Sequence, residues 1–278
     1  VSATTLEALS GAGHEIVHVV TRADSRKSRR GEPSATPVKE RALALGLPVS
    51  HRVADILETT PDLGIVVAFG QLIRPAVLEV VPMLNVHFSL LPRWRGAAPV
   101  ERAILEGDEE TGVCIMALEE TLDTGPVFAR QTLPIDPDER ADELVTRLGE
   151  IGNTLLLSCL ANGRAGLPEP VAQSGEATYA AKITPEDRHL RFEESSRRNY
   201  ARVRIGRAWT TFRGERLLVH DARPVAEARD TGVLHGDVVG TKDGGLRLIR
   251  VQQAGRGAQS FSDWAVGARP SVGERLGP

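Results

Sequence analysis

Asn85 and His87 stand two residues apart in the string NVHFSLLPRWRGAAP, residues 85–99. On an extended strand that spacing puts both side chains on one face. They fall at the predicted strand's carboxyl end, just before the turn-forming Pro92 and Gly96, and open α/β sheets bind ligands at that edge. A carboxamide and an imidazole converging there can stabilise a carbonyl oxygen that becomes an oxyanion. Loss of one such donor costs about 10²–10³ in rate. Asp123, in an LDTG turn after another predicted strand, can reach the same edge and hold the imidazole in one tautomer.

Each of these residues also has a plainer reading. Asn-X-His is compatible with an ordinary strand, and Asp123-Thr124-Gly125 is a good tight-turn sequence with no chemistry required. Ser89 is a conceivable nucleophile, but the GxSxG elbow is absent. Trp94, between Arg93 and Arg95, reads as a stacking platform or as a rim aromatic. The seven histidines show no HExxH spacing, so no metal site is expected. Cys114 and Cys159 are the only cysteines, too few for a disulfide framework or a multi-cysteine cluster, and both lie in apolar contexts.

The elements that must position these side chains alternate between strand and helix. Residues 3–10 read as a helix closed by Gly11 and Gly13, and 14–20 as a strand. Residues 22–36 read as a polar, basic loop, followed by a helix that begins at Pro37 and ends at Gly46. Ile65–Phe69 is a continuous apolar run, suited to a strand buried on both faces. Residues 83–88, 112–118 and 126–133 read as further strands, 97–106 as a helix, and 139–161 as a long amphipathic helix. This alternation predicts an α/β fold with a mostly parallel sheet over residues 1–161. Residues 162–187, rich in Gly and Pro, read as a linker. Beyond them, short strands flank tight glycine turns at Arg213-Gly214-Glu215 and Asp243-Gly244-Gly245. They predict a small β-barrel over 188–278.

The 278 residues carry a net charge of −3, but the distribution along the chain is uneven. Residues 1–187 hold 17 basic and 27 acidic side chains, and residues 188–278 hold 17 and 10. Such asymmetry favours a polyanionic partner for the second part. No apolar run approaches the ~18 residues of a membrane span, so no membrane partner is expected.

Residues 85–100, NVHFSLLPRWRGAAPV, closely resemble the signature of the methionyl-tRNA formyltransferase family, a branch of the 10-formyltetrahydrofolate-dependent formyltransferases. The match continues in register through GDEETGVCIMALEETLDTGPV (107–127). It also covers TPVKERALALGLPV (36–49), VVAFGQLIRPAVLE (66–79), ATYAAKIT (177–184) and QQAGRGAQS (252–260). The resemblance implies a Rossmann-like catalytic domain followed by an OB-like, tRNA-binding carboxyl-terminal domain. It implies formyl transfer from 10-formyltetrahydrofolate to the amino group of methionyl-initiator tRNA, with no metal. Asn85, His87 and Asp123 would be catalytic, and Ser89, Leu90, Leu91 and Pro92 would form the folate-contacting segment. Arg26, Lys27, Arg29 and Arg30 would lie in the family's basic loop, which enters the acceptor stem. A cytoplasmic monomer is expected.

Two departures from the family pattern stand out. The family opens with a strand and a GTP-containing loop, and this chain joins the pattern in its first helix, so that strand is expected to be missing. RIGRAWTT (204–211) is shorter than the family's proline- and tryptophan-bearing segment, which leaves the second domain's first strand open. The alternatives are a formyltransferase acting on a nucleotide-linked sugar amine, and an inactive truncated RNA-binding remnant.

Overall fold

Met83–His87 is an almost unbroken buried strand, as an apolar run covered on both faces must be. It pairs in parallel with Gly64–Val66 on one side and antiparallel with Glu110–Ala117 on the other, and the latter pairs antiparallel with Val127–Pro134. A separate parallel pair joins Val19–Val20 to Val49–Ser50. This computed structural model describes residues 1–26, 32–227 and 230–277. The chain divides into two units: Val1–Pro99, Glu110–Pro134 and Leu144–Ala181 form one, and Val100–Glu109, Ile135–Glu143 and Lys182–Pro278 the other. The first has the α/β class that the sequence predicts, with an antiparallel extension on one side of its sheet.

Two predicted strands are shorter than their apolar runs. Residues 14–20 yield only Val19–Val20, and 65–69 yield Gly64–Val66, which is half-buried rather than buried on both faces. Among the described residues neither strand has a partner on its second edge, and both line one cavity of about 1030 Å³. Ala68, at φ +48°, ends the second run. The helices follow their signals more closely. Thr36 caps Pro37–Ala44 by accepting from the Lys39 N–H at 3.2 Å, with proline in the first turn and Gly46 at φ +70° just beyond. In Ala141–Leu160, Leu144, Leu148 and Leu156 are fully buried. Each contributes roughly 1.5–3 kcal/mol of burial. Gly152 brings this helix onto Val86 and Val113 of the sheet.

The second unit contains an antiparallel sheet ordered Ala208–Phe212, Glu215–Val225, Gly244–Gln253, Val238–Thr241, Leu234–His235, with Gln259–Ser260 on Gly244–Gln253. Its core gathers Leu217, Val219, Leu246, Val251 and Trp264. The segment left open by the sequence contains the end of a helix, Ser196–Arg204, followed by the Ala208–Phe212 strand. The helix was missed because SRRNYARVR looks like a solvated charged stretch. Here Arg202 and Arg204 are buried, and Arg204 donates to the carbonyls of Glu139 and Asp136 at 2.8 and 2.9 Å. Tyr200 donates to Asp138 at 2.8 Å, and burial together with that carboxylate pushes its phenol up to about 12.

This folding changes the meaning of the charge split. The acidic segments 100–109 and 135–143 belong to the carboxyl-terminal unit, which then holds 20 basic and 21 acidic side chains; the other holds 14 and 16. The +7 of residues 188–278 is therefore offset within its own unit.

One ion pair in that unit makes a pH prediction. Arg102 donates to both Asp187 oxygens at 2.8 and 3.1 Å, and the Thr184 N–H donates to one of them at 2.8 Å. Burial opposes the charged form, but Arg102 and Thr184 outweigh it and hold the carboxyl at about 2, against 3.8 ordinarily. A depressed acid stabilises the fold above its unfolded value, and the contribution disappears as pH falls through the folded one. Asp187→Asn is expected to lower the urea midpoint at neutral pH. It should also flatten the loss of stability between pH 3.8 and about 2, read by tryptophan fluorescence.

Candidate active site

His87 is 5 % exposed, and its ring is anchored through one nitrogen. Nε2 lies 2.9 Å from the Trp94 carbonyl oxygen, which can only accept, so Nε2 carries the hydrogen. Nδ1 is then the nitrogen left to take or give a proton. It faces Asp123 Oδ2 at 3.8 Å. That is too long for a hydrogen bond, though the carboxylate faces the ring directly. The alternation of the strand puts Asn85 on the same face, and among the described residues its carboxamide has no hydrogen-bond partner. An amide placed so beside a tautomer-locked imidazole can donate to a developing oxyanion.

Asp123 is buried in a turn with φ +51°, a conformation a non-glycine residue holds only under constraint. Its Oδ2 accepts from the Gly96 N–H at 2.8 Å. Gly96 itself, at φ +118°, lies so close to the Ala180 carbonyl that a Cβ would come within 2.8 Å of it. At Gly125 a Cβ would lie 2.0 Å from the Ala117 carbonyl oxygen. Both glycines of the site are therefore required by close backbone approach rather than by turn type alone.

The remaining sequence-derived candidates divide. Ser89 is wholly buried and its hydroxyl donates to the Arg93 carbonyl, so it closes the Pro92 turn and is no nucleophile. Leu91 is buried with Cys114, Met116 and Val127, while Leu90 and Pro92 are half-buried. In this segment Leu90 and Pro92 retain side-chain surface for a ligand, and Ser89 and Leu91 shape the backbone between them. Trp94 is 8 % exposed under the Arg93 guanidinium, 4.5 Å from the ring centre. It is a core aromatic, not a surface stacking platform; its contribution is the carbonyl, supplied from a backbone at φ +61°. Arg26 is exposed in a two-residue strand pairing with Pro33–Ser34, and Lys27, Arg29 and Arg30 lie outside the described residues.

Sequence reasoning missed a second strand of chain around the site. Residues 171–181, whose composition suggests a linker, run along all its loops. Val171 bridges Val127, the Thr178 hydroxyl accepts from the Trp94 N–H at 2.9 Å, and Tyr179–Ala180 pairs in parallel with Arg95–Gly96. Gln173 donates to the carbonyls of Asp123 and Gly125. The available signal was ATYAAKIT (177–184), which the family resemblance covers although the surrounding composition suggests a linker.

Comparison with known proteins places this geometry. Residues 2–160 match the formyl transferase family and residues 182–269 match the formyl transferase carboxyl-terminal domain. Fold and site thus define a one-carbon group-transfer enzyme. A methionyl-tRNA formyltransferase of Thermus thermophilus is 41% identical over 95% of this chain and 92% of its own length. One of Streptomyces coelicolor is 39% identical over 100% and 96%. The chain belongs to the methionyl-tRNA formyltransferase family. Among solved structures, an N-formyltransferase of Helicobacter canadensis, in complex with folinic acid and dTDP-3-aminofucose, shares the fold. Its TM-score is 0.67 at 16% identity, covering 90% of this chain and 95% of that one.

Proposed function

We propose that the chain transfers the formyl group of 10-formyltetrahydrofolate to the α-amino group of methionyl-initiator tRNA, giving N-formylmethionyl-tRNA for translation initiation in the cytoplasm. The observation that carries the reading is His87, its Nε2 hydrogen engaged by Trp94 and its Nδ1 facing Asp123, beside an Asn85 amide with no partner among the described residues. The neutral amine attacks the formyl carbon, a C–N bond forms, and the carbonyl electron pair moves onto oxygen, where Asn85 donates to it. The amine gives up one proton, through water, to Asp123, and His87 stabilises the tetrahedral species through Nδ1. Collapse re-forms the carbonyl and breaks the bond to the folate nitrogen, which leaves with a proton supplied through His87. General acid–base help of this kind is worth about 10²–10⁴.

Near-full-length relatives at 39–41% identity support the tRNA substrate over a sugar amine. The test is formyl transfer to charged initiator tRNA. Equal rates with a nucleotide-linked amino sugar would refute the substrate assignment, and no transfer at all would favour an RNA-binding remnant. Contacts to tRNA would come from Arg26, Lys27, Arg29 and Arg30 and from exposed arginines of the second unit. Arg223 and Arg247 are among these; they sit directly across from each other on neighbouring strands. Each is held by a neighbouring carboxylate, Arg223 by Asp221 at 2.8 Å and Arg247 by Asp237 at 3.5 Å, and both stay exposed enough to reach a phosphate.

A further inference from the structure

We infer that Gln173 is a positioning residue that holds Asp123 for the transfer step, an inference that rests on the role of Asp123 proposed above. The Gln173 carboxamide has four hydrogen-bonding positions, and all are used. Its nitrogen donates to the carbonyl oxygens of Asp123 and Gly125, each at 2.8 Å. Its oxygen accepts from Arg95 Nε at 3.1 Å and from the terminal guanidinium nitrogen at 2.6 Å.

The two ends of this amide grip two different loops. One end fixes the Asp123–Thr124 and Gly125–Pro126 peptide groups, and so fixes the constrained backbone from which the Asp123 carboxylate projects. The other end fixes Arg95, whose neighbour Gly96 supplies the N–H on which Asp123 Oδ2 rests. The same Arg95–Gly96 strand follows Trp94, whose carbonyl locks the His87 tautomer. A single carboxamide therefore sets the separation between the carboxylate and the imidazole it faces.

Charge state makes the amide irreplaceable. Glutamate has the same shape and would still accept from Arg95, but it would present an anionic oxygen to two carbonyl oxygens in place of two N–H donors. The turn would be pushed away while the contact to Arg95 survived. Misplacement of a reacting group by about 1 Å costs up to about 10²-fold in rate.

The experiment compares Gln173→Glu and Gln173→Met in the full chain by steady-state formyl transfer, with melting temperature measured alongside. Expected is a fall in kcat of about tenfold to a hundredfold, with KM for tRNA and for the folate co-substrate changed by less than about twofold. In an Asp123→Asn background the same replacement should lower kcat by less than about twofold further, since the group it positions is already lost. Losses that multiply would overturn the inference, as would a lowered melting temperature with unchanged kcat. Full kcat in Asp123→Asn alone would instead remove the proposed role of Asp123. That failure is distinguishable from an impaired Asp123→Asn beside an unimpaired Gln173→Glu.

Discussion

His87→Gln is expected to lower kcat for formyl transfer by about two to four orders of magnitude, and Asn85→Ala by about two to three, with folate binding retained. The two losses differ in origin. Glutamine at 87 can still offer an N–H toward the Trp94 carbonyl, so the loop from Pro92 to Gly96 keeps its anchor while the proton-carrying nitrogen disappears. His87→Ala should be as inactive and less stable, because it leaves a buried carbonyl without its donor. Asn85 is half-buried and its amide has no partner among the described residues, so truncation removes a donor without opening a knot of hydrogen bonds. Single-turnover transfer, equilibrium binding of the folate co-substrate and circular dichroism together separate chemistry from folding. Retention of more than a tenth of wild-type kcat in either variant would contradict the assignment.

Replacing Arg26, Lys27, Arg29 and Arg30 together by glutamine should raise KM for tRNA steeply and leave kcat at saturation largely intact. Four lost phosphate contacts reduce the slope of log KM against log salt by about three. The effect should be this concentrated because neither folded unit carries a large charge of its own: 14 basic against 16 acidic side chains in one, 20 against 21 in the other. Attraction to a polyanion then comes from clusters within a Debye length, not from a global field. An unchanged salt slope in the fourfold variant would place the tRNA contacts elsewhere, with the cross-strand pair Arg223 and Arg247 as the next candidates.

Several features were readable before any coordinates because they depend on neighbours along the chain. Pro37 and Gly46 mark the limits of a helix through fixed φ angles. The placement of Asn85 and His87 on one face of Met83–His87 follows from strand periodicity, and the glycine turn at 214 separates two strands; at 243–245 the turn is instead Lys242–Asp243, with Gly244 and Gly245 already in the next strand. The basic helix Ser196–Arg204 was not readable, because Arg204 is buried against carbonyls more than sixty residues away and Arg202 against Glu194. The half-buried state of Gly64–Val66 was likewise hidden, since an apolar run does not reveal how many of its edges are paired.

The sequence by itself pointed to Asn85, His87 and Asp123 as the proposed reacting residues and determined the α/β class and the family, since these rest on identity, order and short spacing. Only the tertiary structure decided which imidazole nitrogen is free, that Trp94 serves through its carbonyl, and that Gln173 and Thr178 brace the site. It also decided that the acidic segments 100–109 and 135–143 fold into the basic half's own unit. The physical reason is common to all four. Each depends on hydrogen bonds or packing between residues distant in the chain, and a linear pattern does not encode the partner of a carbonyl, an amide or a charge.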